Sequence, residues 1–365
     1  MLLCKWGIFM LDKKESLRLD LIRFPLIVAV VFIHAYESNV VFSGLQISAN
    51  QTGIVTNFIK NIISNGVARV AVPLFFLMSG YFFFVGLSSK EKYFIKLKKR
   101  IKTLLIPFVF WNSFTLLVIA LAQILPATQV FFSGKNPFVI NFSLFDYLNA
   151  IIGINRLPIS YQFWFIRDLM ILVLFVPFII IALRFVPILF LLIVFICWFF
   201  DYWIFFSPAS EATLFFCFGA YLAFSNKSLF VADRYGYILV LWYFIIVILD
   251  VYFIGETFSP ILHRFGIVFG VYSVLFISKF LTKIERIRTS LLTLSNASFF
   301  VYATHEPLLT IQRKFLYKLL YPESVYLTLF LYFSIPISTI IFSVFLYRIL
   351  LKIFPKFIEV TTGAR

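Results

Sequence analysis

The sequence predicts an all-α, polytopic integral membrane protein on the basis of composition, run length and charge placement. Hydrophobic residues make up 62% of the 365 residues and charged residues 13%, and the mean hydropathy is +0.99. This balance lies far from that of a soluble domain. The apolar residues form continuous runs of about 20, the length that a helix needs to cross a bilayer. Strands of a membrane barrel would be shorter and would alternate in polarity.

Ten runs between charged clusters are predicted to span the membrane as a single helical bundle. The predicted spans are residues 20–42, 67–87, 103–125, 161–183, 186–204, 207–225, 237–254, 262–282, 293–312 and 326–351. We expect residues 1–19 to form an N-terminal segment, 20–351 the membrane domain and 352–365 a C-terminal tail.

The net charge of +16 reflects membrane topology rather than nucleic-acid binding. Lys and Arg concentrate in the two termini and in alternate connections between the spans, which is the pattern of the positive-inside rule. Both termini are therefore predicted to lie in the cytoplasm. The three cysteines are scattered without metal-binding or disulfide spacing, so no metal site is predicted.

The first span contains charged and titratable residues, among them Arg23 and His34 in the stretch "RFPLIVAVVFIHAYE". On a helix, Arg23 and His34 lie about 16 Å apart along the axis, and they differ by about 20° around it. They therefore share one face, and helical spacing places Glu37 one turn beyond His34, where it could orient the imidazole. On spacing alone, His34 is either a core residue whose hydrogen bonds are all made or a catalytic residue.

The connection 88–102, "SSKEKYFIKLKKRIK", is strongly basic and is predicted to be a cytoplasmic loop. Its charges either set topology and attract anionic headgroups or bind the phosphates of a cytosolic ligand. Further polar residues lie in or beside the other spans. They are Arg69 in the second, Trp164, Arg167 and Asp168 in the fourth, and His305 and Glu306 in the ninth. A structural alternative exists for these residues too: Trp164 as an interface anchor, and His305 as a hydrogen-bond partner within the bundle.

Several segments, taken in chain order, resemble the acyltransferase 3 family of integral-membrane O-acyltransferases that modify bacterial surface glycans. They are the Arg23 and His34 pair, "VPLFFLMSGYFFF", "KKRIKTLLIPF", "FWFIRDL" and "ASFFVYATHEPL". The resemblance covers most of the chain. It implies that His34 is essential, that Arg23 supports it, and that cytoplasmic acetyl-CoA donates an acyl group to a sugar hydroxyl. It also implies a location in the inner membrane.

The other candidates have expected roles that rest on residue type and spacing. Glu37 would orient His34, and the donor phosphates would be held by Lys98, Lys99, Arg100 and Lys102. The sequence departs from the family at Leu104, where some members carry a second arginine. Candidates for acceptor binding are Arg69, Trp164, His305 and Glu306. The alternative function is an exporter or flippase for a polysaccharide or lipid-linked sugar, because intramembrane charges also line transport routes.

Overall fold

The computed structural model describes residues 12–37, 39–42, 46–48, 53–132 and 137–363. Residues 1–11 of the predicted N-terminal segment lie outside the described residues. In chain order the helices are α1 (Lys13–Ala35), α2 (Ile54–Lys60), α3 (Ala71–Phe84), α4 (Lys90–Arg100), α5 (Ile106–Ile124), α6 (Pro126–Gln129), α7 (Leu144–Ile152), α8 (Trp164–Leu174), α9 (Val176–Phe185), α10 (Pro187–Phe199), α11 (Ser210–Phe224), α12 (Gly236–Tyr252), α13 (Ser259–Leu281), α14 (Glu285–Ser295), α15 (Ser298–Leu320), α16 (Val325–Ile353) and α17 (Pro355–Thr362).

Shorter elements connect some of these helices. The strands β1 (Asn39–Val41) and β2 (Gln46–Ser48) pair antiparallel, with Asn39 opposite Ser48. The turns of 3-10 or π geometry are Asn61–Gly66, Val67–Val70, Ile101–Leu105, Val139–Asn141, Tyr161–Phe163 and Asp233–Tyr235.

The all-α membrane class is confirmed by the helices that are long and apolar enough to cross a bilayer. Among the described residues these are Ile54–Phe84, Lys90–Ile124, Asp233–Tyr252, Ser259–Leu281 and Val325–Ile353. Tyr161–Leu174 and Val176–Phe185 are joined by a 60° bend. They make a sixth candidate span if the two helices are counted as one. Each of the ten predicted spans overlaps a helix, but the number of crossings and the cytoplasmic termini stay predictions.

The prediction of a basic loop over residues 88–102 is wrong, because most of this segment is helical. Ser89 caps α4 by accepting a hydrogen bond from the Lys92 backbone N–H at 3.3 Å. The helix then continues through the π turn Ile101–Leu105 into α5. The segment contains good helix formers, and the π turn falls just before Pro107, whose missing N–H interrupts the regular ladder.

Contacts divide the chain into two compact units. The first unit contains residues up to Leu26, Gly66–Lys102 and Phe165–Asn296. The second contains Ile27–Asn65, Thr103–Trp164 and the residues from Ala297 onward.

In the first unit, α3 and α11 pack backbone to backbone through two glycines. A Cβ atom on Gly80 would lie 2.0 Å from the carbonyl oxygen of Phe216, and one on Gly219 would lie 2.0 Å from that of Leu77. Such close approach is the use that membrane helices make of small residues. Gly80 of the segment "VPLFFLMSGYFFF" therefore serves helix packing.

In the second unit, the predicted C-terminal tail forms α17 and packs on α5. The indole Nε1 of Trp111 donates to the Thr361 carbonyl at 2.9 Å, and Ile358 and Thr362 are buried.

Outside the spans, α7 starts with a capping box between Ser143 and Asp146. The hydrogen bond from the Ser143 hydroxyl lowers the pKa of Asp146.

Candidate active site

His34 lies in the last turn of α1, half-buried, and contacts two other rings of the second unit. Its Nδ1 is 2.9 Å from the hydroxyl oxygen of Tyr161, and the two rings meet edge to face at 5.1 Å between centroids. The ring of His305, on α15, lies 5.3 Å from that of His34. One imidazole nitrogen of His34 is therefore held by a phenol, while its ring stays partly accessible.

Glu306, on α15, is the fourth residue of this group. Its side chain is buried, with the residue 6% exposed, and its Oε2 accepts a hydrogen bond from the Thr310 hydroxyl at 2.7 Å. Glu306 and Tyr161 line the same cavity. Tyr161 therefore lies at a cavity wall that also includes a buried carboxyl group.

The backbone before Tyr161 is fixed against α5. Ser160 donates its N–H to the side-chain oxygen of the buried Asn112 at 3.1 Å and its hydroxyl to Thr115 at 2.7 Å. These two bonds hold the start of the 3-10 turn Tyr161–Phe163, and with it the base of the tyrosine side chain.

The same turn is bound to α15 at the position of a helix-internal proline. Pro307 has no N–H to donate to the Ala303 carbonyl four residues earlier. The amide of Gln162 donates to that carbonyl at 3.3 Å instead, and the Tyr302 hydroxyl donates to the Gln162 carbonyl at 2.6 Å. The proline thus creates the acceptor that holds α15 against the tyrosine turn.

His305 is fully buried, and its protonation can be assigned from its partners. Its Nδ1 lies 2.7 Å from the Tyr302 carbonyl oxygen, so this nitrogen carries the proton. Its Nε2 makes no hydrogen bond to any described residue. His305 has no exposed surface, and its ring packs against that of His34.

The end of α1 is anchored by two further contacts. The guanidinium group of Arg313 donates to the His34 carbonyl at 2.6 Å, and the Ser64 hydroxyl donates to the Phe32 carbonyl at 2.6 Å. Carbonyls in the last turn of a helix lack partners within the helix, and a cation there is favourable. Both contacts fix the backbone that carries the His34 ring.

The helical spacing that predicted Glu37 as the partner of His34 does not apply, because α1 ends at Ala35. Glu37 instead lines a small pocket together with Lys60 and Arg313. Lys60 is 4% exposed, and its ammonium group lies 4.9 Å from the centre of the Tyr36 ring. The structure places Tyr161, a residue that the sequence did not single out, at Nδ1 of His34.

A cavity of about 500 Å³ adjoins Tyr161 and Glu306. Its walls are mostly apolar side chains of α5, α15 and the segment between α5 and α7, including Phe114, Phe131 and Phe315. This volume lies in the range of small-molecule sites. A bound molecule in the cavity would contact Tyr161.

The predicted donor-side residues belong to the first unit. Arg23 pairs with Asp20 on α1 at 3.0 Å. Along α4 and the turn that follows it, Lys98, Lys99 and Lys102 are exposed, whereas Arg100 is half-buried with its guanidinium group 5.9 Å from the Phe83 ring centre. The three lysines could therefore contact a solvated anion directly.

Two other polar residues noted in the sequence, Arg69 and Asp168, belong to the first unit. Arg69 lies in the first unit near Glu211, which also faces His263 and Arg264. Asp168 is fully buried and accepts from the Ala209 N–H at 2.7 Å. That contact satisfies a backbone group at the start of α11.

Trp164 is half-buried as the first residue of α8, one turn after Tyr161. His263 pairs with Asp250 at 2.9 Å. Within the described ranges, no three His, Cys, Asp or Glu side chains lie together as metal ligands would.

Comparison with known proteins gives one family and one curated relative. The acyltransferase 3 family, described as an acyltransferase domain, matches residues 16–348. The succinoglycan biosynthesis protein ExoH of Rhizobium meliloti (strain 1021) is 27% identical over 168 residues, which are 46% of this chain and 43% of that protein. The match thus spans less than half of that relative's length. No solved structure matches the chain.

Proposed function

Because the chain belongs to the acyltransferase 3 family, we propose that it is an O-acetyltransferase of the inner membrane. It moves an acetyl group from cytoplasmic acetyl-CoA to a hydroxyl group of a cell-envelope or extracellular polysaccharide, or of its lipid-linked precursor. The name of the relative, a succinoglycan biosynthesis protein, supports a polysaccharide acceptor. The observation that carries the proposal is the half-buried His34 with its Nδ1 held by Tyr161 beside a cavity.

His34 acts as the general base in this proposal. Transfer of an acyl group from a thioester to an alcohol requires removal of the hydroxyl proton as the oxygen attacks the carbonyl carbon. A neutral imidazole can take up that proton at a ring nitrogen. The carbon–sulfur bond then breaks, and the proton passes from His34 to the departing CoA thiolate.

Arg23 and the basic residues of α4 bind the donor. CoA carries phosphate groups, and clustered Lys and Arg make charge-assisted hydrogen bonds to phosphate. The exposed side chains of Lys98, Lys99 and Lys102, with Arg100, supply that positive charge. On α1, Arg23 precedes His34 by about 16 Å along the axis, which lets Arg23 hold the cytoplasmic end of a donor whose acyl group reaches His34.

The acceptor contacts the cavity next to Tyr161. Glu306, His305 and Trp164 lie in the second unit with this cavity, and of these Glu306 lines it. Arg69 belongs to the first unit. It is a further candidate for binding the acceptor.

The proposal is tested with purified protein in liposomes, labelled acetyl-CoA and a polysaccharide acceptor. His34→Ala should lower kcat by about 10²–10⁴-fold, the contribution of a general base, with an unchanged Tm. The matched control is His263→Gln, at the histidine paired with Asp250 in the first unit, which should transfer like the parent. Equal transfer by a folded His34→Ala variant contradicts the assignment. Glycan movement across vesicles without acetyl-CoA binding would identify an exporter or flippase instead.

A further inference from the structure

We infer that the acceptor is a lipid-linked saccharide whose apolar chain lies in the cavity beside Tyr161 and whose phosphate group is bound by Lys314 and Lys318. The inference rests on the proposed function, because it chooses between the two acceptors named there, the polysaccharide and its lipid-linked precursor. Neither the family description nor the name of the relative says how an acceptor is held.

The walls of the cavity suit an apolar chain better than a free sugar. The side chains that line it are mostly apolar and include Val118, Ile119 and Phe132. Sugar rings carry several hydroxyl groups, and a buried hydroxyl group without a hydrogen-bond partner is unfavourable. An apolar chain has no such requirement. The volume of about 500 Å³ therefore accommodates part of one long chain.

The rim of the cavity is formed by exposed apolar side chains. Phe114 on α5 and Ile311 and Phe315 on α15 line the cavity and are exposed. The helix that carries Phe114 belongs to the candidate span Lys90–Ile124. Exposed side chains of a spanning helix face the hydrocarbon of the bilayer, so the chain of a membrane lipid can enter this cavity without crossing water.

One end of the cavity carries positive charge. Lys314 lines the cavity and donates to the Phe131 carbonyl, and the ammonium group of Lys318 lies 5.1 Å from the centre of the Phe131 ring. An ammonium group has three donors, and the contact of Lys314 with Phe131 takes one of them. Glu306 also lines the cavity, but it precedes Lys314 by about 12 Å along the axis of α15. The two ends of the cavity therefore differ in charge.

The positive charge determines which lipid is selected. An apolar chain gains little free energy when it moves from the bilayer into an apolar cavity, because both surroundings are alike. Clustered lysines, in contrast, make charge-assisted hydrogen bonds to phosphate. The cavity thus fixes the position of the chain, and Lys314 and Lys318 favour a lipid whose head begins with a phosphate group.

The saccharide of such a lipid would start close to the proposed base. The turn that carries Tyr161 is bound to α15 at Ala303, which precedes Lys314 by about 16 Å along the helix axis. Next to Lys314 in the chain, Arg313 donates to the His34 carbonyl at 2.6 Å. A phosphate at Lys314 therefore lets the apolar chain extend toward Tyr161 and the saccharide extend toward the end of α1.

Three acceptors that share one saccharide test the inference. They are the free saccharide, its diphosphate ester and its polyprenyl diphosphate, each given to purified protein in detergent micelles with labelled acetyl-CoA. The kcat/KM for the polyprenyl diphosphate should exceed that for the free saccharide by about tenfold or more, with the diphosphate ester between them. A ratio near one, or an ester as good as the polyprenyl acceptor, overturns the inference.

Two variants remove the two parts of the site. Ala122→Phe puts a ring into the cavity that Ala122 lines, and Lys314→Gln with Lys318→Gln removes the charge. Each should lower the ratio of kcat/KM for the polyprenyl acceptor to that for the free saccharide by about tenfold. Enrichment of an anchored acceptor in the micelle is the same for every variant, so a lower ratio reports the site itself. A parent ratio in Ala122→Phe overturns the inference.

Matched controls place the same changes outside the site. Ala127→Phe adds the same ring at an exposed alanine of α6 outside the cavity wall. Lys352→Gln with Lys356→Gln removes two exposed lysines of the same unit. Both controls should keep the parent ratio. If a control lowers the ratio as much as the variant that it matches, the site is not the cause and the inference is overturned.

Labelling of the parent protein keeps the inference testable if the variants fold poorly. A polyprenyl diphosphate with a photoreactive group in its chain should label the peptides of α5 and α15 that line the cavity, and unlabelled polyprenyl diphosphate should displace it. Equal displacement by phosphatidylglycerol would mean that an ordinary bilayer lipid fills the cavity, and it overturns the inference. Failure of the proposed function is a different result, because no acceptor then receives an acetyl group, whether or not the probe labels the cavity.

Discussion

The hydroxyl group of Tyr161 lies 2.9 Å from Nδ1 of His34, although 127 residues separate them in the chain. The contact joins the last turn of α1 to the 3-10 turn before α8. The ring of His34 is therefore oriented by another segment and not by its own helix. The geometry of the site therefore depends on how α15 holds the tyrosine turn.

His305 should act through packing, and two substitutions distinguish packing from chemistry. His305→Phe keeps a ring beside His34 and removes a buried acceptor that has no described partner, a group whose burial costs about 1–3 kcal/mol. We expect it to retain most of the parent kcat. His305→Ala leaves a cavity, and should lower both Tm and kcat. The measurement is acetyl transfer beside thermal unfolding in detergent. Loss of activity in a stable His305→Phe variant would mean that a nitrogen of His305 takes part in the reaction.

The exposed lysines of α4 and the following turn should determine donor affinity. Replacing Lys98, Lys99 and Lys102 by Gln should raise KM for acetyl-CoA by about tenfold or more, because a hydrogen bond to a charged group is worth about 1.5–3 kcal/mol and about 1.4 kcal/mol corresponds to a factor of ten. The effect should weaken as salt is added, since these residues are exposed. KM is measured from initial rates at fixed acceptor.

A matched control removes the same charge elsewhere. Lys283, Lys352 and Lys356 are also exposed, and their replacement by Gln should leave KM for acetyl-CoA unchanged. Equal KM values in both triple variants would assign the α4 lysines to membrane topology, which is the other interpretation of their charge.

The fold class and the candidate base could be predicted from the sequence, because both depend on local patterns. A helix overlaps every span that the apolar runs predicted. His34 could be singled out because it is a titratable residue within one of these spans. Tyr161 gave no such signal, since the chain has 18 tyrosines and its relation to His34 is long-range. Arg313 was missed for the same reason, being 279 residues from the carbonyl that it binds.

Two errors of the sequence analysis have local causes. A basic, polar segment was predicted to be a loop, but Lys and Glu are good helix formers, and α4 begins at a serine cap. The helical spacing to Glu37 was applied beyond the end of α1 at Ala35. One sequence feature was not used. Pro307 leaves the Ala303 carbonyl without its donor within the helix, which predicts a hydrogen-bond donor from outside α15.

Lys96 should stabilise the fold although it lies among the proposed donor-binding residues in sequence. Its ammonium group donates to the carbonyls of Phe82, Phe83 and Val85 at 3.1, 2.7 and 2.7 Å, where α3 ends. Lys96→Met should therefore lower the free energy of unfolding by about 1.5–3 kcal/mol, the worth of a hydrogen bond to a charged group, with little change in KM for acetyl-CoA. Lys98→Met should behave in the opposite way, because Lys98 is exposed. Denaturation and donor titration of both variants check this, and a stable Lys96→Met protein would contradict it.

The glycines at the contact of α3 and α11 should be the least replaceable residues of the first unit. A Cβ on Gly80 would meet the Phe216 backbone at 2.0 Å, and backbone atoms cannot move aside as the end of a flexible side chain can. Gly80→Ala must separate the two helices, and overpacking of this kind costs about 1–3 kcal/mol.

In Gly266→Ala the nearest contact would be Ile246 at 3.6 Å, an ordinary distance, so this control should keep the parent Tm. Thermal unfolding in detergent compares the two, and equal Tm values would show that α3 and α11 can part without loss. Because the site around His34 lies in the other unit, a Gly80→Ala protein that remains folded should keep the pH profile of the parent.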